Sequence, residues 1–116
     1  MGLEDCIFCK IASGEIPSAR VFEDDLCVAF NDLSPQAPTH ILVIPREHLD
    51  SLDSAGSGQK EMLGHLLLTA ANIARDRGFA EEGYRIVLNT NSAGGQTVFH
   101  LHVHLLAGRQ FVFPPG

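Results

Sequence analysis

Residues 92–106 read Ser-Ala-Gly-Gly-Gln-Thr-Val-Phe-His-Leu-His-Val-His-Leu-Leu. Three of the chain's six histidines, His100, His102 and His104, occupy alternate positions there, with aliphatic residues between them. Successive side chains of a β-strand point to opposite faces, so we predict that the three imidazoles line one face and the aliphatic residues face a core. A strand with a histidine-rich polar face is the simpler explanation. Imidazole, however, serves mainly as base, nucleophile or metal ligand, so we interpret the stretch as a chemical site.

A turn-rich loop, residues 89–97, precedes this predicted strand. Gly94 and Gly95 allow unusual backbone dihedral angles and a close approach to a ligand, although such a pair often marks only a turn. The loop matches neither the Walker A pattern nor the dinucleotide-binding Gly-x-Gly-x-x-Gly pattern. Beside a histidine strand, it predicts a phosphate or oxyanion held next to a nucleophilic or basic imidazole.

Residues 100–106, His-Leu-His-Val-His-Leu-Leu, match the signature of the histidine triad (HIT) family, and the chain resembles the Hint branch of that family. Other segments also match the branch, and they lie along nearly the whole chain. These segments are residues 6–11, 22–25, 32–40, 43–45, 94–98, 107–110 and 114–116. So long an ordered series is far more specific than the triad alone.

Length and composition predict one folded domain over residues 1–116, since 45% of the 116 residues are hydrophobic and 19% are charged. Apolar patterns predict strands over residues 18–23, 26–31, 40–44 and 84–89 and a long helix over residues 59–77. With the triad strand, this is an α+β protein. The resemblance implies a HIT-like fold, an antiparallel sheet of about five strands with one long helix and a short N-terminal helix.

The net charge of -6 argues against a nucleic-acid surface, because such surfaces need clustered lysine and arginine. We find no apolar run long enough to span a bilayer and no secretory leader, so we predict a cytoplasmic protein without a membrane partner. Three cysteines cannot all pair within one chain, which also fits a reducing compartment.

The resemblance implies a purine nucleoside 5′-phosphoramidate hydrolase. In this family the middle histidine, here His102, attacks the α-phosphorus, and water hydrolyses the nucleotidyl-histidine intermediate. By the same resemblance, we expect His100 and His40 to support the triad and His104 to orient the phosphate. Further ligand contacts are implied for the phosphate and ribose by Asp32, Asn89, Gly95, Gln96 and Thr97. The purine pocket implied by the resemblance consists of Ile7, Phe8, Ile11, Ile16, Phe30, Asn31 and Leu33.

The partners implied by the resemblance are a purine nucleotide, AMP or GMP, and a second copy of the chain in a homodimer. By the same resemblance, we expect that this chemistry requires no cofactor. The C-terminal segment matches one that can reach the partner's site and tune leaving-group preference.

Cys6 and Cys9 have the Cys-x-x-Cys spacing of a zinc half-site or a redox pair. A redox role is disfavoured because no thioredoxin-like βαβ unit surrounds them. No second Cys-x-x-Cys follows, and resemblance to the wider superfamily implies that His48 and His100 complete a structural zinc site. Two reduced cysteines packed in a short helix are the alternative.

Two other functions remain open at this point. The three histidines could form a metal centre that activates water, as His-x-His strands do in some zinc hydrolases. Alternatively, the chain could be a nucleotide-binding interaction or regulatory protein whose hydrolysis is incidental, which slow turnover with tight AMP binding would indicate.

Overall fold

The computed structural model describes residues 5–116, so the first four residues of the predicted domain lie outside the described part. Two α-helices and five strands follow one another along the chain. They are α1 (Ile7–Ser13), β1 (Arg20–Glu23), β2 (Cys27–Asn31), β3 (Thr39–Pro45), α2 (Lys60–Asp76), β4 (Arg85–Val87) and β5 (Val103–Ala107). Short 3-10 turns lie at Leu52–Ser54, Ser57–Gln59 and Ser92–Gly94. The predicted α+β class is confirmed.

The five strands form one antiparallel sheet in the order β1-β2-β3-β5-β4. The predicted β1–β2 hairpin and the antiparallel pairing of β4 with β5 are both confirmed. β5 lies between β3 and β4, with Leu42 opposite His104 and His40 opposite Leu106. This register brings His40 next to the triad.

The two helices cover opposite faces of the sheet. Residues of α2 pack with one set of alternating strand residues, which includes Ala29, Ile41 and Val43. Residues of α1 pack with the alternate set, which includes Phe30 and Leu42. The alternation of side chains along each strand therefore produces two separate apolar layers.

Local sequence explains where the helices begin and end. The Cys6 sulfur caps α1 by accepting from the Cys9 N–H, and Gly14 ends the helix with a φ of 86°. Helix α2 runs within the predicted range and buries an apolar stripe that includes Met62, Leu66 and Ile73. Within the described residues, no helix has both the length and the apolar character needed to cross a membrane.

The triad segment departs from the prediction at its start. β5 begins at Val103, so His100 and His102 precede the hydrogen-bonded strand. The reason is that β3 ends at Pro45, and the N–H of Leu101 donates instead to the Leu49 carbonyl at 2.7 Å. The predicted alternation nevertheless extends through this irregular segment. Leu101, Val103 and Leu105 are all buried in the layer under α2.

Candidate active site

His102 is held by the backbone of its own segment. Its Nδ1 lies 2.8 Å from the carbonyl oxygen of His100. A carbonyl can only accept, so Nδ1 carries a proton, and a ring with that single proton keeps its lone pair on Nε2. The ring is buried, with the ring of Phe8 packed edge-on at a centroid distance of 5.1 Å. This is the tautomer that a nucleophilic imidazole needs.

His40 connects His104 with Asp32. Its Nε2 lies 2.8 Å from His104 Nδ1 and 3.4 Å from Asp32 Oδ2. Burial lowers the pKa of His40, and burial together with the neighbouring His102 and His40 lowers the pKa of His104 to about 4. Both imidazoles are therefore neutral at pH 7. A neutral imidazole has one N–H donor and one acceptor nitrogen, so each hydrogen bond between His40 and His104 has a single direction.

Asp32 directly follows β2 and is fixed at one oxygen. Its Oδ1 accepts the Ser34 N–H at 2.8 Å, and its side chain remains about one-fifth exposed. Across the site, Asn89 borders the glycine loop, because a Cβ on Gly95 would lie 3.8 Å from the Asn89 side-chain nitrogen. Gly95 has a φ of 91°, which favours glycine at this position.

Gln96 is the residue whose contacts the sequence did not reveal. Its buried side-chain amide donates to the carbonyls of Asp50, at 2.7 Å, and Val98, at 3.1 Å. Its Oε1 accepts the N–H of Asn91 at 2.8 Å. The side chain therefore shapes the glycine loop, and its polar atoms are occupied. A glutamine after a Gly-Gly pair is the only sequence signal for such a role.

Two of the three predicted phosphate donors of the loop are also occupied by contacts within the protein. The N–H groups of Gly95 and Gln96 donate to the carbonyls of Ser92 and Asn91. Thr97 follows them with its side chain exposed. Within the described residues, the N–H of Thr97 makes no hydrogen bond to another residue of this loop, unlike those of Gly95 and Gln96.

The predicted purine pocket divides into a packed part and an exposed part. Four of its residues join the apolar cluster next to His102: Phe8, Ile11, Ile16 and Phe30. The rings of Phe8 and Phe30 meet edge to face at a centroid distance of 5.7 Å. The other three residues have exposed side chains: Ile7, Asn31 and Leu33. Leu33 is 97% exposed, so within this chain it contacts little.

On the other side of the triad, the structure brings together the four residues predicted to hold zinc. One ligand atom from each of Cys6, Cys9, His48 and His100 lies within 4.8 Å of all the others. His100 Nδ1 lies 3.2 Å from Cys6 Sγ and 3.5 Å from Cys9 Sγ, and His48 Nδ1 lies 3.4 Å from Cys9 Sγ. Two thiols and two imidazoles are a common donor set for a structural zinc ion.

The far nitrogens of both imidazoles in this cluster have acceptors. His100 Nε2 lies 2.8 Å from the Pro45 carbonyl, and His48 Nε2 lies 2.7 Å from an oxygen of Asp50. Each proton is therefore held on Nε2, and each Nδ1 lone pair points at the thiols, as in histidines that bind zinc. Without a metal, burial and Cys6 raise the pKa of the Cys9 thiol to about 11. The residues fit zinc, and two packed reduced cysteines fit the same geometry.

The triad histidines do not converge on one point. His100 faces the thiols, whereas His104 faces His40 and Asp32. Among residues 5–116, no group of metal-ligating side chains contains two triad histidines. This divergence argues against the three-histidine metal centre that the sequence left open.

Comparisons with known proteins identify relatives of this chain. A profile of the HIT domain matches residues 13–111. An uncharacterized HIT-like protein of Synechococcus elongatus is 57% identical over 113 residues, covering 97% of this chain and 98% of that protein. The purine nucleoside phosphoramidase of Escherichia coli K12 is 50% identical over 106 residues, covering 91% of this chain and 89% of that enzyme.

Solved structures show the same fold. A HIT family hydrolase from Legionella pneumophila superposes with a TM-score of 0.95 at 50% identity, covering 97% of this chain and 100% of that one. A histidine triad protein from Clostridium difficile gives a TM-score of 0.92 at 49% identity, covering 97% of each chain. The profile match and these likenesses together show that the chain belongs to the histidine triad (HIT) family, as residues 100–106 predicted.

Proposed function

We propose that the protein hydrolyses purine nucleoside 5′-phosphoramidates, such as AMP joined to the amine of lysine, through a nucleotidyl intermediate on His102. The observation that carries the proposal is the hydrogen bond from His102 Nδ1–H to the His100 carbonyl, which leaves the Nε2 lone pair free. The 50% identity to a purine nucleoside phosphoramidase supports the choice of substrate class.

In the first step His102 Nε2 attacks the α-phosphorus, and the phosphorus–nitrogen bond of the substrate breaks. The bonding electrons leave on the amine nitrogen, which takes up one proton. The ring of His102 then carries a positive charge, and the His100 carbonyl stabilises it by accepting Nδ1–H. In the second step water attacks the phosphorus, releasing the nucleoside monophosphate, the free imidazole and one proton. The two proton changes cancel over the cycle.

Three parts of the site would hold the nucleotide. The Asp32 carboxylate, anchored at one oxygen, suits two adjacent ribose hydroxyls that donate together. The packed rings of Phe8 and Phe30 offer an apolar wall for the purine. Thr97 and His104 supply donors for the phosphate oxygens.

Zinc has a separate place in this proposal. Cys6, Cys9, His48 and His100 would hold it, and four protein ligands leave no open position for catalysis. If zinc were bound there, these four residues would cross-link α1 to the segment that carries His102. The hydrolysis itself needs no cofactor.

We also propose that the protein is a homodimer. Leu67 and Leu68 on α2 are 47% and 62% exposed, and Val112 and Phe113 in the C-terminal segment are 72% and 86% exposed. Such apolar surface is typical of an interface with a second copy. Light scattering after size-exclusion chromatography would measure the mass in solution. A monomer at every concentration tested would contradict this part of the proposal.

The test is steady-state hydrolysis of a fluorogenic adenosine 5′-phosphoramidate by the wild type and by His102→Ala. We expect the variant to lose roughly 10⁴-fold or more in kcat while it still binds AMP. The matched control is His65→Ala, since His65 lies on α2 and contacts Asp24 outside the site. A parallel assay with EDTA should leave turnover unchanged within minutes of mixing. Near-normal turnover in His102→Ala would refute the assignment, and tight AMP binding without wild-type turnover would favour an interaction protein.

A further inference from the structure

The inference starts from the proton positions of His40. The backbone N–H of Gln36 donates to His40 Nδ1 at 3.0 Å. A backbone amide can only donate in this contact, so His40 Nδ1 must carry a lone pair. His40 is buried, and burial lowers its pKa, so the ring is neutral at pH 7. Its single proton therefore lies on Nε2.

The proton on His40 Nε2 determines the proton on His104. The two nitrogens, His40 Nε2 and His104 Nδ1, are 2.8 Å apart, and two N–H groups cannot face each other at that distance. His104 Nδ1 therefore accepts, and the neutral His104 ring carries its proton on Nε2. Asp32 Oδ2, at 3.4 Å from His40 Nε2, competes for the same N–H and does not change this assignment.

Adjacent triad histidines thus have opposite tautomers. His102 presents a lone pair at Nε2, and His104 presents an N–H at Nε2, with the two ring centroids 5.0 Å apart. Within residues 5–116, His104 Nε2 makes no hydrogen bond. A nucleophile beside a free donor suits a phosphoryl group, which offers an electrophilic phosphorus and anionic oxygens.

A second set of contacts holds Gln36 in place. Its carbonyl oxygen lies 3.4 Å from Nε and 3.3 Å from Nη2 of Arg109. Next to Arg109, Gly108 has a φ of 95°, and a Cβ at that position would lie only 2.9 Å from Pro38 Cβ. The turn that follows β5 therefore packs directly on the loop of residues 34–38. The guanidinium of Arg109 is itself placed over the ring of Phe111, at 4.2 Å.

We propose that the Gly108-Arg109 turn, through the Gln36 amide and His40, fixes the tautomer of His104 with its proton on Nε2, the tautomer in which His104 can act as the phosphate donor of the proposed function. Arg109 and Gly108 are positioning residues, since they act through Gln36 and His40. The part that concerns the substrate rests on the proposed function. The assignment of tautomers stands on the protein alone.

The direct test is nitrogen-15 NMR of the imidazoles in the full-length protein, assigned with single histidine variants. We expect wild-type His40 and His104 to carry their protons on Nε2, and His102 to carry its proton on Nδ1. In Arg109→Ala, the His104 signals should move toward a mixture of tautomers. The matched control is Arg85→Ala, because Arg85 also lies over Phe111 but donates to the Val112 carbonyl and not to Gln36.

Ligand affinity gives a second readout that a merely structural role would not move. AMP should bind Arg109→Ala roughly 3- to 10-fold more weakly than the wild type, because a donor to the phosphate is partly lost. Adenosine, which has no phosphate, should bind both proteins equally. Gly108→Ala should show the same pattern more strongly, and Gly64→Ala, where an added Cβ meets nothing within 4 Å, should show none of it.

The outcomes separate this inference from the proposed function. A wild-type His104 protonated on Nδ1 would overturn the inference even if the protein hydrolyses phosphoramidates. Equal behaviour of Arg109→Ala and Arg85→Ala, with unchanged tautomers, would overturn the role of the turn. The expected tautomers in a protein without phosphoramidate turnover would support the positioning chain and refute the proposed reaction.

Discussion

The two ends of the triad, His100 and His104, have similarly lowered pKa values but different surroundings. Burial is the main reason that the pKa of each is lowered to about 4. His100 has both nitrogens turned toward protein groups, the Pro45 carbonyl on one side and the thiols on the other. His104 has one nitrogen against His40, and its other nitrogen makes no hydrogen bond in the described part of the chain. The first end is therefore scaffold, and the second is open to a ligand.

This difference shows what the triad pattern does and does not encode. Alternation places the three imidazoles on one side of the chain, opposite Leu101 and Val103. Partners outside the pattern then decide what each imidazole does. The acceptor of His100 comes from the end of β3, and the partner of His104 comes from its start.

Replacing each end of the triad in turn should give the largest contrast, because one substitution should mainly reduce stability and the other should mainly reduce turnover. His100→Ala leaves a cavity and an unpaired Pro45 carbonyl, so we expect a loss of about 2–4 kcal/mol in the free energy of unfolding. His104→Ala should cost less stability but lower kcat/KM by roughly 100- to 1000-fold. Denaturant unfolding and steady-state kinetics on both variants measure the contrast. A His104 variant less stable than the His100 variant, with normal turnover, would reverse the roles.

Zinc affinity tests the cluster of Cys6, Cys9 and His48 to which His100 belongs. Asp50→Asn weakens the acceptor for His48 Nε2–H, and such changes around a metal ligand reduce affinity by about tenfold or more. Competition with a zinc chelator measures the dissociation constant. The control is Asp53→Asn, an exposed neighbour outside the cluster. If neither the wild type nor the control binds zinc at stoichiometric level, the cluster is a pair of packed reduced cysteines.

The smallest expected effect is on stability at acid pH. The unfolded chain takes up a proton at His104 near pH 6.5, whereas the folded protein does so only near pH 4. The unfolded state thus binds more protons in this window, and stability falls as the pH drops from about 6.5 to about 4, then levels off. His104→Asn should remove a loss on the order of 1 to 3 kcal/mol from this window.

Unfolding free energies measured from pH 7 to pH 3.5 would test this effect. Asp24, whose pKa is lowered to about 2 by hydrogen bonds that include the backbone N–H groups of Cys27 and Leu26, should contribute separately below about pH 4. An unchanged slope between pH 6.5 and pH 4 in His104→Asn would count against a buried neutral His104.

Much of the fold could be predicted, because the spacing of apolar residues indicates which face of a helix or strand is buried. The helix over residues 59–77 and the alternation around His102 rest on such spacing, and the structure confirms both. The start of β5 could not be predicted, because it depends on the Leu101 N–H meeting the carbonyl of Leu49 in an irregular segment. Contacts of irregular backbone have no period in the sequence.

For the candidate site, the residues could be predicted from the sequence, but several of their contacts could not. Motif matching named His40 and His48 as neighbours of the triad, and the structure places both there. The loop-shaping amide of Gln96 and the Gln36 N–H were not predictable, because backbone groups and loop geometry decide them. Proton positions follow from distances of about 3 Å, which no residue spacing records.

Alternate residues of the segment 101–105 face opposite sides of the chain, and this arrangement has an evolutionary consequence. Leu101, Val103 and Leu105 belong to the layer under α2, while the intervening His102 and His104 contribute nothing to that layer. Substitutions of His102 and His104 therefore leave that apolar layer unchanged. A lineage that carries this segment can change the residues at positions 102 and 104 while it keeps the residues that pack under α2.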